Sequence, residues 1–89
     1  MDKKYTKEIK KLAKGLIKRG IAFTFRPICD GCQIIVTDKN NNPSWDAVCH
    51  EFSYGGEFGL LELMGRTLVH NDDDVEGYLT AEDILKRLD

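Results

Sequence analysis

The chain lacks any run of roughly 18 apolar residues, so the sequence offers no candidate for a membrane-spanning helix. Its basic N-terminus is not followed by the apolar segment of a secretory leader, and the expected location is the cytoplasm. Cysteine is scarce and odd in number, three in 89 residues, which makes a poor disulfide framework and suits the same compartment. There is no phosphate-binding loop, no glycine-rich dinucleotide fingerprint and no helical H-E-x-x-H. Glu57 and Glu62 lie near the Gly55-Gly56 break without a carboxylate partner at a useful position. A catalytic role and a cofactor are therefore not expected. Internal repeats, low-complexity segments and domain boundaries are absent too, and residues 1–89 read as one small domain.

What is present is an ordinary apolar content of 42%, enough for a modest core with a stability of about 5 kcal/mol. Net charge is only −2, but it is unevenly spread. Residues 1–45 carry ten Lys/Arg against four Asp/Glu, and residues 46–89 carry three against eleven. Such asymmetry fits an electrostatic partner, or two halves that complement each other within or between chains.

Tyr5, Ile9, Leu12 and Leu16, with Ala13 and Ile17 beside them, form an apolar stripe at helical spacing. Lys4, Lys7, Lys11, Lys14 and Lys18 repeat on the opposite face. A helix over residues 3–19 follows, with Asp2 as N-cap and Gly20 as C-cap. Gly15 inside it marks a close approach, expected against a sheet. The lysine stripe has no interleaved aromatic residues to stack bases, so it reads as a solvated face rather than a nucleic-acid site.

Cys29-Asp30-Gly31-Cys32 joins two apolar runs, and Asp-Gly there predicts a hairpin with a tight type I′ turn. The strands run Ile21–Cys29 and Cys32–Asp38, with Pro27 marking an edge or a bulge in the first. After the loop Lys39–Ser44, Trp45–Ser53 is a third strand, apolar enough to be buried on both faces. Glu57–Met64 reads as a short helix closed by Gly65, from Phe58, Leu61 and Met64 at three-residue spacing. Arg66–Gly77 reads as an acidic loop with a short extended piece at Thr67–Val69. Thr80 caps a last helix, with Asp83 as a short capping-box partner and Ile84, Leu85 and Leu88 facing inward. The expected fold class is α+β: a three-stranded antiparallel sheet packed by an N-terminal helix and two short C-terminal helices, in the order α-β-β-β-α-α.

Cys29, Cys32, Cys49 and His50 can be written as a Cys₃His zinc set, with His70 as a substitute fourth ligand. Cys49 and His50 are adjacent, however, and point to opposite faces of a strand. That also weakens a nucleophile–base reading of the pair. The expectation is that the cysteines are buried packing residues. Asp72, Asp73, Asp74 and Glu76 form an acidic segment without the spacing of a calcium loop. Together with Tyr78 they are candidates for a partner-binding surface that imitates a phosphate backbone. Trp45, Tyr54, Phe58 and Tyr78 lie at element ends or in loops, where aromatic residues can anchor an interface.

The stretch Cys49–Gly65, reading CHEFSYGGEFGLLELMG, resembles small uncharacterised prophage-encoded proteins of Gram-positive bacteria. Val75–Leu85, the basic first helix and the hairpin extend the likeness. The resemblance transfers no functional residue. It implies a non-enzymatic protein that binds a host protein, similar in size and charge to inhibitors of CRISPR nucleases and other defence systems. The expected function is thus inhibition of a nucleic-acid-handling host complex through an acidic surface. The alternative is a zinc-stabilised adaptor or nucleic-acid-binding module using Cys29, Cys32 and Cys49. A homo-oligomer joining basic and acidic halves is a third reading.

Overall fold

The computed structural model describes residues 3–65, 67–69 and 74–89. Helix α1 (Lys3–Lys18) is followed by strands β1 (Thr24–Ile28), β2 (Gly31–Thr37) and β3 (Pro43–Cys49). A single 3₁₀ turn (Gly56–Phe58), strands β4 (Leu61–Met64) and β5 (Val75–Leu79), and a short helix α2 (Ala81–Lys86) complete the chain. Among the described residues the strands form one antiparallel meander in the order β1-β2-β3-β4-β5. The α+β class and the N-terminal helix are as expected. The sheet has five strands rather than three, and one short C-terminal helix rather than two.

The core lies between α1 and one face of the sheet. Tyr5, Ile9, Leu12 and Leu16 of α1 are buried, and Lys4, Lys7, Lys11, Lys14 and Lys18 are exposed. Ile17, expected beside the apolar stripe, is instead exposed. Facing the helix are alternate strand residues: Cys32, Ile34 and Val36 of β2, Trp45, Ala47 and Cys49 of β3, and Leu61 and Leu63 of β4. On the other face Arg26 donates to Gln33 and Gln33 donates to Asp46, so a polar chain crosses three strands. Val48 is buried on that face as well, whereas Ser44 and Asp46 beside it are half-buried. The third strand ends at Cys49 rather than Ser53, because the chain turns at His50.

Gly20 ends α1 in the left-handed region, φ 69°, as a C-cap requires. Asp2, the expected N-cap, lies outside the described residues. Gly15 approaches α2 rather than the sheet: a Cβ there would lie 2.4 Å from Leu85 Cδ1. Glu8 ties the same two helices together. Its carboxylate is buried, accepts the Ala81 backbone N–H at 2.9 Å and pairs with Lys11 at 3.3 Å.

The β1–β2 hairpin is present, but its turn is not the expected one. Ile28 pairs with Gly31, so the two loop residues are Cys29 and Asp30. Only Cys29 of these has a positive φ, 53°, whereas a type I′ turn needs both. Gly31 is required for a different reason: a Cβ there would lie 1.8 Å from the Cys49 carbonyl oxygen. Pro27 sits on the edge strand, where it removes a donor from the sheet's outer rim.

The expected helix Glu57–Met64 is a 3₁₀ turn followed by β4. Gly59, at φ 73°, stops helical growth, and Leu61 and Leu63 then alternate with Glu62 at the strand period. Leu61 and Leu63 are fully buried, while Phe58 and Met64 of the supposed helical stripe are exposed. The acidic loop also yields a strand, because β5 pairs with β4 through Leu61–Leu79, Leu63–Glu76 and Met64–Val75. Thr67–Val69 is a turn rather than an extended piece, with the Leu68 and Val69 amides donating to the Gly65 carbonyl. The last helix starts as expected. Thr80 Oγ1 accepts the Asp83 amide at 3.1 Å and Asp83 accepts the Thr80 amide at 2.9 Å.

Candidate partner-binding surface

The segment 50–60 between β3 and β4 is a chain of turns in which Ser53 is buried and several aromatic side chains face outward. Ser53 Oγ donates to the His50 carbonyl at 2.9 Å and accepts the His50 amide at 3.0 Å. His50 Nδ1 accepts the Phe52 amide at 3.0 Å, and the Gly55 carbonyl accepts the Phe58 and Leu60 amides. Held by these bonds, the turn leaves Phe52, Tyr54 and Phe58 exposed at 76%, 62% and 68%.

Strand β5 brings Tyr78 to the same place. Three residues of β5 steps match two of β4 between the Leu61–Leu79 and Leu63–Glu76 pairs, so β5 carries a bulge. Tyr78 sits in that bulge at φ 61° and is more than half exposed. Its amide donates to the Tyr54 carbonyl at 3.2 Å, and its ring lies 6.4 Å from that of Phe58. Gly77 is needed here because a Cβ would lie 2.3 Å from Tyr54 Cβ. Tyr54, Phe58 and Tyr78 thus share one surface, although 24 residues separate the first from the last.

Between Lys39 and Arg66 the sequence contains no Lys or Arg, and Glu51 and Glu57 of the turn are exposed. Lys4 of α1 lies against the turn: a Cβ on Gly59 would lie 2.7 Å from the Lys4 carbonyl oxygen, and the Lys4 ammonium sits 5.1 Å from the Tyr5 ring centroid. Glu62 accepts the Tyr54 amide at 3.2 Å, which fixes the turn on β4. Asp30 accepts the Glu51 amide at 2.9 Å, which brings a further carboxylate from the β1–β2 turn.

The acidic candidates have different placements. Asp72 and Asp73 lie outside the described residues. Asp74 stands just before β5 at φ 59°. Glu76 is held by Arg87 in a two-pronged ion pair, 2.9 and 2.7 Å, and the same guanidinium donates to the Leu68 carbonyl. Its carboxylate therefore clamps β5 to α2. Of the five candidates, Tyr78 is the one placed among the exposed aromatic residues. Of the four aromatic residues that the sequence places at element ends or in loops, Tyr54, Phe58 and Tyr78 are exposed and Trp45 is buried in the core; exposed Phe52 has no sequence signal of its own.

The cysteines do not converge as a set. Cys32 and Cys49 are direct cross-strand partners and fully buried, whereas Cys29 is exposed at the hairpin turn. Cys32 Sγ lies 3.1 Å from the Tyr5 carbonyl oxygen, which suits a donating thiol. Burial, with the neighbouring Cys32 next in effect, pushes the Cys49 thiol up to about 11. His70 lies outside the described residues. Among the described residues no group of three or more His, Cys, Asp and Glu is placed to hold a metal ion.

A cleft of about 520 Å³ separates α1 from α2, lined by Glu8, Lys11, Arg19, Leu85 and Asp89 among others. Its charges are spent on one another: Glu8 with Lys11, and Arg19 with Asp89 at 2.8 Å. Among the described residues no helix is long and apolar enough to cross a membrane. None of the protein-family models, curated proteins or solved structures compared with the chain matches it.

Proposed function

We propose that this protein acts without catalysis, by binding another protein, and that it inhibits a nucleic-acid-handling host complex such as a defence nuclease. The observation that carries the reading is that Tyr54, Phe58 and Tyr78, all exposed, are held together by the Tyr78–Tyr54 backbone bond and the Phe58–Tyr78 ring contact, with exposed Glu57 beside Phe58. Exposed aromatic residues held by a satisfied backbone are the usual anchors of protein interfaces. An acidic surround suits a basic groove that otherwise takes nucleic acid, and excludes nucleic acid from it. In sequence, Asp72, Asp73 and Asp74 lie four to six positions before Tyr78.

The test is affinity capture of host proteins on the tagged chain, from nuclease-treated lysate at moderate salt, followed by assay with the purified partner. A stoichiometric partner whose nucleic-acid binding falls as this protein is added supports the reading. Charge reversal at Asp72, Asp73 and Asp74 should weaken the complex, and rising salt should weaken it further. Unchanged affinity in that triple variant removes phosphate mimicry by the acidic segment.

A further inference from the structure

We infer that the Phe58–Tyr78 surface takes arginine side chains from a basic segment of the partner protein, a statement that rests on the binding role proposed above. The two rings are 6.4 Å apart between centroids and inclined by 43°. A guanidinium attracted to a ring face sits within about 6 Å of the centroid, so one group can engage both rings at this separation. Phe58 is 68% exposed and Tyr78 56%, so both rings are open to such a group.

Charge points the same way. Glu57 precedes Phe58 and is exposed, Glu62 lies at the Tyr54 amide, and Lys4, whose backbone lies against Gly59, carries its ammonium over the Tyr5 ring. Arginine suits the site better than lysine. Its planar, weakly hydrated guanidinium stacks on a ring while donating to a carboxylate, whereas an ammonium is a strongly hydrated point charge. A second copy of this chain is a poor occupant. The exposed stripe of α1 is made of lysines, and the described arginines are engaged at home: Arg19 with Asp89, Arg26 with Gln33 and Arg87 with Glu76.

Fluorescence anisotropy with labelled nona-arginine and nona-lysine peptides at fixed salt tests this. The wild-type chain should bind nona-arginine more tightly than nona-lysine. Phe58→Leu and Tyr78→Leu keep an apolar side chain but lose the ring, and each should weaken the arginine complex roughly twofold to fivefold. Tyr78→Phe, which keeps the ring, should bind as wild type does. Circular dichroism of each variant shows that its fold is retained. Equal binding of the two peptides, or leucine variants that bind as wild type does, would reduce the association to plain charge attraction and overturn the inference. So would a dimer in sedimentation that Phe58→Leu dissolves, since the occupant would then be a second copy. A captured partner that needs Phe58 while nona-arginine fails to bind would also overturn it, yet leave the partner-binding role standing.

Discussion

The α1–α2 corner and the turn after β3 treat their side chains in opposite ways. At the corner, buried Glu8 satisfies the first amide of α2, Arg19 meets Asp89, and Arg87 grips Glu76. Charges there hold the end of the chain onto α1 and β5. At the turn, hydrogen bonds within the segment and to Asp30 and Glu62 hold the backbone, and the aromatic rings are left to the solvent. Exposed apolar area of that kind adds nothing to folding by burial.

The sharpest break in that contrast comes from the thiols. Cys29 is exposed and should react with a disulfide reagent at the rate of a free thiol. Cys32 and Cys49 are fully buried, and the Cys49 thiol is pushed up to about 11. Their labelling requires opening of the β2–β3 core, which slows it on the order of a thousandfold for a domain stable by about 5 kcal/mol. The expected native stoichiometry is one fast thiol per chain, rising to three in denaturant. Rapid labelling of two or three thiols in the native protein would show that the core opens readily.

Leu63→Ala acts on the same core. Leu63 is fully buried beneath α1, and truncating it should cost about 2–5 kcal/mol in urea unfolding. A loss below about 1 kcal/mol would mean that β4 does not seal the core.

The core strands also show which parts of the fold the chain's periodicity discloses. Helix α1 was legible because its two stripes repeat over four turns, and α2 because Thr80 and Asp83 are a cap with a mechanism. Strand β4 was not. Leu60, Leu61, Leu63 and Met64 fit a helical or a strand period over so short a run, and the left-handed Gly59 decided between them. Strand β5 was hidden because Glu76 and Gly77 are poor strand formers, held in place by Arg87 and by the pairing with β4. The Asp-Gly signal correctly placed a hairpin and misplaced its turn by one residue. Tyr78 was singled out in the sequence and is exposed, but its meeting with Tyr54 and Phe58 depends on the β4–β5 register and on the bulge. No local pattern carries that information.

The capping box sharpens the comparison from the helical side. Thr80→Ala removes the acceptor for the Asp83 amide and should cost about 1 kcal/mol. The bond to the Thr80 amide, then that to its hydroxyl, hold the Asp83 carboxyl below its ordinary value of 3.8. A carboxyl depressed in the folded state contributes stability above its unfolded value and loses it as pH falls through the folded one. Wild-type stability should therefore fall below about pH 4, and Asp83→Asn should flatten part of that fall. Asp89, also held below 3.8 by the hydrogen bond from Arg19, supplies a remaining share in the same window. An Asp83→Asn profile that overlays the wild type across that window would detach the cap from acid sensitivity.

The smallest expected effect is the most telling about the turn. Phe58→Ala removes a ring of the size of many core residues, only five positions before Leu63. Because that ring is 68% exposed, the substitution should change stability by no more than about 0.5 kcal/mol in the same urea experiment. The residual cost is the tilted contact with Tyr78, 6.4 Å between centroids. A loss above about 1 kcal/mol would show that Phe58 and Tyr78 brace the β5 bulge, and the surface would then be a structural buttress. A near-zero loss in stability combined with lost partner binding would separate the two roles at one residue. A folding constraint on Phe58 cannot produce that combination, because it requires the ring to matter in the folded chain before any partner arrives.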